Sequence, residues 1–236
     1  MEMTGERLRY RNIYDMKDRE KQFRVIDEYI NSPDFLNIQQ DSIDHVLNHV
    51  ELINQELYQL LQREVIDHVS FRIKSAESIH KKLIHKKLPV SIKSINEELV
   101  DVAGVRIVCA FLDDVYRIGE RIQAIEDLEI IDVRDYIKRP KNSGYQSLHI
   151  IVESPIVHNS ECRTLVEIQI RTVAMHFWAK LDHQLTYKMV QSKEADTLRK
   201  ELKAHADEIA AIDKKMLKIR KKIEKLKVDG RDESDT

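Results

Sequence analysis

The amino-acid sequence predicts an α+β fold of α/β-like character, a mixed β-sheet of about five strands flanked by helices. Three observations carry that expectation. Residues 164–172 alternate strictly, with Leu165 and Val166 leading into Ile168 and Ile170 on one face and Glu167, Gln169 and Arg171 on the other. Period-two alternation marks a strand with one buried face. Residues 101–137 run as polar turn, apolar strand, amphipathic helix and second strand, a β-α-β succession that packs helices on a sheet. Stretches toward both ends repeat apolar residues at three- and four-residue steps, and only five glycines and four prolines interrupt the 236 residues.

The elements follow in order. Residues 1–40 are charged, with a short amphipathic stretch at Phe23, Ile26, Tyr29 and Ile30 that stops near Ser32 and Pro33. Ser42 is a plausible N-cap for a helix of about six turns carrying Ile43, Val46, Val50, Ile53, Leu57 and Leu60. Residues 71–87, if helical, put Ser75, Ser78, Lys82 and His85 on one face and Ala76, Ile79 and Leu83 on the other, with Arg72 and Lys74 at the entry. Ser94-Ile-Asn-Glu97 reads as a capping box opening a short helix that ends near Asp101. Gly104 permits close backbone approach or unusual dihedrals where the next strand starts. Val115, Ile118, Ile122 and Ile125 mark a covering helix, residues 129–137 a strand, and residues 147–155 another strand, which carries His149.

After the alternating strand, residues 173–189 read as a helix with Trp178, Leu181 and Leu185 on its buried side and His176, Lys180, His183 and Tyr187 near the other. From Leu198 the chain repeats Leu202, Ile209, Ile212, Met216, Ile219, Ile223 and Leu226, a helix that needs a partner. The expected organisation is an N-terminal helical extension at 1–41, a core domain at 42–190, a C-terminal amphipathic helix at 191–228 and a disordered polar tail at 229–236.

Composition bounds the function. Lys plus Arg number 39 against 41 Asp plus Glu, a formal charge of -2. A global basic field is therefore excluded, and any anion site must be local. RNA binding stays open but is not indicated by net charge. Cys109 and Cys162 form neither a CxxC pair nor a disulfide framework. The N-terminus lacks an apolar signal core and no apolar run reaches the roughly 18 residues of a membrane span. A cytoplasmic protein without membrane attachment is expected.

Two polar clusters invite a ligand. A carboxylate, an amide and a guanidinium in one row are costly to desolvate unless a polar partner or solvent covers them. Residues 138–147, Lys-Arg-Pro-Lys-Asn-Ser-Gly-Tyr-Gln-Ser, combine cations with Tyr145 and can offer charge to phosphate and a ring to a base. Both features also fit solvated surface.

Taken together, Arg72-x-Lys74, Asp101-x-x-Gly104-x-Arg106, Arg134-Asp-Tyr-Ile137, Gly144-Tyr-Gln-Ser-Leu-His149 and Val166-Glu-Ile-Gln-Ile-Arg-Thr172 closely resemble the synthetase domain of the RelA/SpoT family. The match runs over about residues 42–190, and the overall plan resembles a small alarmone synthetase of the RelP/RelQ kind, with a nucleotidyltransferase-like domain. The resemblance implies a GTP pyrophosphokinase of the bacterial stringent response, moving the β,γ-pyrophosphate of ATP to the 3′-hydroxyl of GDP or GTP and releasing AMP. With no His-Asp dipeptide in the chain, synthesis without alarmone hydrolysis is expected.

By match to the family motifs, Arg72 and Arg106 would sandwich adenine, and Lys74, Ser78 and Lys82 would meet the ATP phosphates. Asp101 and Glu167 would hold Mg2+, with Glu167 also the general base. Tyr145 would stack on guanine, Lys141 and His149 would lie near the acceptor phosphates, and Gln169 and His176 would line that pocket. A homotetramer is implied as well. The chain departs from the pattern at His85, Gln146, His176 and the run His68 to Phe71, where bulky Phe71 replaces a glycine and argues against allosteric activation by alarmone. Competing readings are a different nucleotidyltransferase and a catalytically weak nucleotide- or RNA-binding regulator.

Overall fold

In the computed structural model, which describes residues 20–156, 159–186 and 192–232, the sheet has five strands in the order β1-β2-β5-β4-β3. The strands are β1 (Ile66–Ile73), β2 (Ala103–Cys109), β3 (Glu129–Asp135), β4 (Leu148–Ile156) and β5 (Asn159–Thr172). Only β2 and β5 pair in parallel, so the sheet is mixed as expected. The helices are α1 (20–30), α2 (Pro33–Leu61), α3 (Ala76–His85), α4 (Ile92–Glu98), α5 (Leu112–Gln123), α6 (Val173–Thr186) and α7 (Lys193–Asp232).

One face of the sheet is the core. Ile43, Val46, Val50, Ile53 and Leu57 of α2 and Val115, Ile118 and Ile122 of α5 pack on Val105, Ile107, Ile150, Val152, Ile168 and Ile170. These are the apolar half of each alternating strand, which leaves the other half to face the site. A second cluster joins Ile26 and Ile30 of α1 and Phe35 of α2 to Ala76, Ile79 and Leu83 of α3 and Ile95 and Leu99 near α4.

Several boundaries differ from expectation. Ser32 caps α2, its hydroxyl accepting from the Phe35 amide with Pro33 in the first turn. Ser42 is instead fully buried inside that helix, so residues 33–41 continue the helix of the core domain. Phe71 to Ile73 belong to β1, and the helix beyond opens at Ser75, whose hydroxyl accepts from the Ser78 amide. Ser91 caps α4, and Ser94 supplies the capped amide. In each case the capping hydroxyl belongs to a serine three residues before the amide it satisfies.

On α6, Met175 and Trp178 are buried, whereas Leu181 and Leu185 are exposed. Trp178 donates its indole N–H to the Leu202 carbonyl on α7 at 3.1 Å, and the neighbouring Ala206 is buried. The α7 helix meets the body through Ala206, the half-buried Leu202 and Ile209, a buried Asp213 and Arg220, which pairs with Asp113, while Ile212, Met216, Ile219, Ile223 and Leu226 stay exposed. Its backbone runs to Asp232, past the expected helix end at 228; residues 233–236 and Tyr187 lie outside the described residues. No described helix is long and apolar enough to cross a membrane.

Candidate active site

Strand register builds the site. Ser70, Arg106, Gln169, His149 and Arg134 stand opposite one another across all five strands, and the adjacent row places Gly104 between Arg72 and Glu167. Residues paired in this way share a face. Gly104 keeps an ordinary negative φ, and a Cβ there would touch only the Glu167 carbonyl at 3.7 Å. Special dihedrals are therefore not its role; the missing side chain leaves room between Arg72 and Glu167.

A cleft of about 540 Å³ opens over this face, lined by Arg72, Arg106, Tyr145, Gln169, Arg171 and His176, with Lys180 and His183 of α6 on its far wall. Among the described residues that line it there is no carboxylate. A chain of net charge -2 thus concentrates cations in one place. Burial first, then the charges of Arg171 and Arg106, holds the His176 imidazole below its usual pKa. Burial and the Arg72 charge likewise lower Arg106, as expected where like charges crowd.

Beside the cleft lies a smaller cavity of about 40 Å³ whose wall includes Asp101, Gly104, Arg106 and Glu167. Lys74 and Lys82 both bring Nζ to 2.5 Å from Asp101 Oδ2. Burial pushes the Asp101 carboxyl up, but the two lysines outweigh it and hold the group below its usual range. Asp101 Oδ1 is buried with no hydrogen-bond partner among the described residues.

Glu167 is gripped from two sides. His149 Nδ1 is 3.0 Å from Oε1 and Gln169 Nε2 donates to Oε2 at 2.7 Å. Burial again opposes ionisation, and His149 followed by Gln169 overcomes it, so the carboxyl is held below its usual range while the nearby Asp101 charge works the other way. Both groups are carboxylates at neutral pH.

A directional chain leads outward from Glu167. Tyr145 OH is 2.9 Å from His149 Nε2, and Arg171 donates from Nη2 to Tyr145 OH at 3.0 Å and to Gln169 Oε1 at 2.6 Å. Burial raises the Tyr145 phenol above its usual pKa. Lys141 Nζ lies over the rings of Tyr136 and Tyr145, 4.6 and 5.1 Å from their centroids.

Of the expected site residues, Arg72, Arg106, Tyr145, Gln169 and His176 line the cleft, and Asp101 and Glu167 the small cavity. Lys74 and Lys82 attach to Asp101, Lys141 stands over Tyr145, and Ser78 lies in the first turn of α3. His149 differs: it is only 5% exposed with both ring nitrogens engaged, so it presents neither to the cleft. Arg171 was assigned no role by sequence, although alternation placed it on this face. Lys180 and His183, on the side of α6 that carries His176, and His68 on β1 line the cleft as well, without a role assigned by the motifs.

Residues 71–192 match the region found in RelA / SpoT proteins. The chain belongs to the RelA/SpoT family. It is 39% identical over 184 residues to GTP pyrophosphokinase YwaC of Bacillus subtilis, covering 78% of this chain and 87% of that one. The fold of this RelA/SpoT member superposes on small alarmone synthetase 1 from Bacillus subtilis bound to its product pppGpp, with TM-score 0.71 and 33% identity over 80% of this chain and 96% of the other. The structure of that synthetase bound to AMPCPP gives TM-score 0.66 and 28% identity, covering 81% and 96%.

Proposed function

We propose that this RelA/SpoT member is a GTP pyrophosphokinase, a (p)ppGpp synthetase that moves the β,γ-pyrophosphoryl group of ATP to the 3′-hydroxyl of GDP or GTP. The observation that carries this reading is the junction of a cationic, nucleotide-sized cleft with a small cavity walled by Asp101 and Glu167. The kinship with YwaC and with a synthetase that binds pppGpp and the ATP analogue AMPCPP supports it.

In the reaction a bond forms between O3′ of the acceptor and the β-phosphorus of ATP, and the bond from that phosphorus to the α,β-bridging oxygen breaks, releasing AMP. Glu167 accepts the 3′-hydroxyl proton; a carboxylate kept ionised by His149 and Gln169 is ready for that task. His149 thus positions the base rather than meeting acceptor phosphates. Arg72 and Arg106 take the adenine between guanidinium planes, a role that suits a flat delocalised cation. Lys74, Ser78 and Lys82 take the ATP phosphates as localised donors. Tyr145 stacks on guanine once the exposed Lys141 swings from its ring onto acceptor phosphate, while Gln169, His176 and Arg171 line that side.

A divalent cation belongs to such a transfer, and Asp101 and Glu167 fit Mg2+. Hard cations take oxygen donors, and Asp101 Oδ1 is a buried oxygen without a hydrogen bond among the described residues. When bound, Mg2+ supplies neutralising charge for the phosphate oxygens.

Assembly as a homotetramer follows from the same reading, supported by the stripe Ile212, Met216, Ile219, Ile223 and Leu226, whose side chains are 49 to 71% exposed. Light scattering that finds only monomers at micromolar concentration would count against it.

The deciding experiment supplies ATP labelled in its β and γ phosphates, Mg2+ and either GDP or GTP. Stoichiometric AMP and a guanosine product carrying the labelled pyrophosphate are expected. Nucleotide binding without transfer would replace this reading with that of a nucleotide- or RNA-binding regulator.

A further inference from the structure

We propose that His45, His49 and Asp127 form a second metal site, one for a divalent first-row transition cation of the Zn2+ type, on the side of the sheet away from the cleft. His45 and His49 lie one turn apart on α2, so their imidazoles project from one side of the helix. Asp127 comes from the connection between α5 and β3. His45 Nε2 is 3.1 Å from Asp127 Oδ2, and His49 Nε2 is 3.1 Å from Oδ1. All three ligand atoms fall within 4.8 Å of one another.

The two histidine–carboxylate separations suit a metal. Zinc bonds of about 2.0–2.2 Å in tetrahedral geometry set ligand atoms roughly 3.3 Å apart. The imidazole rings stand nearly perpendicular, at 84° with centroids 4.8 Å apart, so they do not stack. His45 Nε2 is buried yet has no hydrogen-bond partner among the described residues; its approach to Asp127 is not aligned as a hydrogen bond. Two imidazoles and one carboxylate select Zn2+ and its late first-row neighbours over Mg2+, which prefers an all-oxygen set. Asp127, 49% exposed, leaves the cation an entry path and room for water as a further ligand.

The site is separate from the chemistry. α2 packs on the core face of the sheet, whereas Glu167, Gln169 and Arg171 occupy the other. A cation there would tie α2 to the α5–β3 connection and stabilise the folded chain by mass action.

The test is calorimetric titration of the full chain with Zn2+ in excess Mg2+, which fills oxygen-donor sites. A single Zn2+ equivalent should bind, raising the unfolding temperature. Binding should weaken at least about tenfold in His49→Gln and in His45→Gln, with Mg2+-dependent pyrophosphate transfer retained. Unchanged Zn2+ affinity in both variants would place the ion elsewhere and overturn the proposal. Absence of Zn2+ binding at micromolar concentration would overturn it too, leaving two His–Asp ion pairs. Should the variants fail to fold, Co2+ added to the unaltered chain decides: visible d–d bands of a low-coordinate nitrogen–oxygen site support the assignment, and their absence removes it.

Discussion

His149 reaches Glu167 diagonally. Backbone register sets His149 opposite Gln169 and sets Ile151 opposite Glu167, yet His149 Nδ1 lies 3.0 Å from Glu167 Oε1. The diagonal contact leaves Gln169 to hold the second oxygen from within β5. The carboxylate is fixed by two neighbours that are themselves fixed, through Tyr145 and Arg171. Such restraint matters because misplacing a base by even an ångström costs rate.

Glu167→Gln tests the base. The amide keeps the size of the side chain and an oxygen for the His149 Nδ1–H, so the fold should persist by circular dichroism. Turnover should fall by about 10²–10⁴-fold, the usual contribution of a positioned general base. A folded Glu167→Gln protein with near-normal turnover would remove the assignment.

Tyr145 carries two separable contributions. Tyr145→Phe keeps the ring but removes the oxygen that links Arg171 to His149. Turnover should drop while the KM for the guanosine nucleotide changes little, and stability should fall by about 1–3 kcal/mol from the unpaired buried groups. Tyr145→Ala should in addition raise that KM, since base–aromatic stacking contributes about 1–3 kcal/mol. Steady-state kinetics on the two variants separates the effects.

Asp213 is a buried carboxylate on α7 whose Oδ2 accepts from Thr172 Oγ1 at 2.6 Å. Burial outweighs that hydrogen bond and raises its pKa above the ordinary 3.8. Its contribution to stability is therefore full below pH 3.8 and is lost as the pH rises through the higher folded value. Asp213→Asn should melt at a higher temperature than the parent at neutral pH, and the gap should close below about pH 3.8. Asp101 and Glu167 have the opposite sign: their contribution is present above 3.8 and 4.5 and fades as acid reaches their depressed values. Melting curves across this range, read with and without the Asp213 change, distinguish the two.

Gly144 joins the cationic loop to α7. Its φ of +95° is one that L side chains rarely adopt, and a Cβ there would sit 2.6 Å from the Ala206 Cβ. Gly144→Ala should destabilise by about 1–3 kcal/mol through overpacking alone, with backbone strain in addition. Trp178, the single tryptophan, borders the same contact and should report the disturbance by its fluorescence.

Much of the fold was legible because alternation and helical periodicity are local. Ile168 and Ile170 against Glu167 and Gln169 identified both the strand and the face that holds the site. Helix starts were harder, since serines abound and the capping serine is the one whose hydroxyl meets a free amide. Ser32, Ser75 and Ser91 do so, while Ser42 and Ser94 are buried.

By itself the sequence determined the class of fold, the polar face of β5, the clustering of cations around Tyr145 and the family the chain belongs to. Tertiary structure alone decided how distant residues meet. It set Asp101 against Lys74 and Lys82, turned His149 inward onto Glu167, and recruited Arg171 to Tyr145. It also brought Asp127 to His45 and His49, and buried Ala206 and Asp213 of α7 while leaving Ile212, Met216, Ile219, Ile223 and Leu226 outside. Residue spacing reports which face of its own element a side chain occupies; only strand register and helix packing report what stands opposite it.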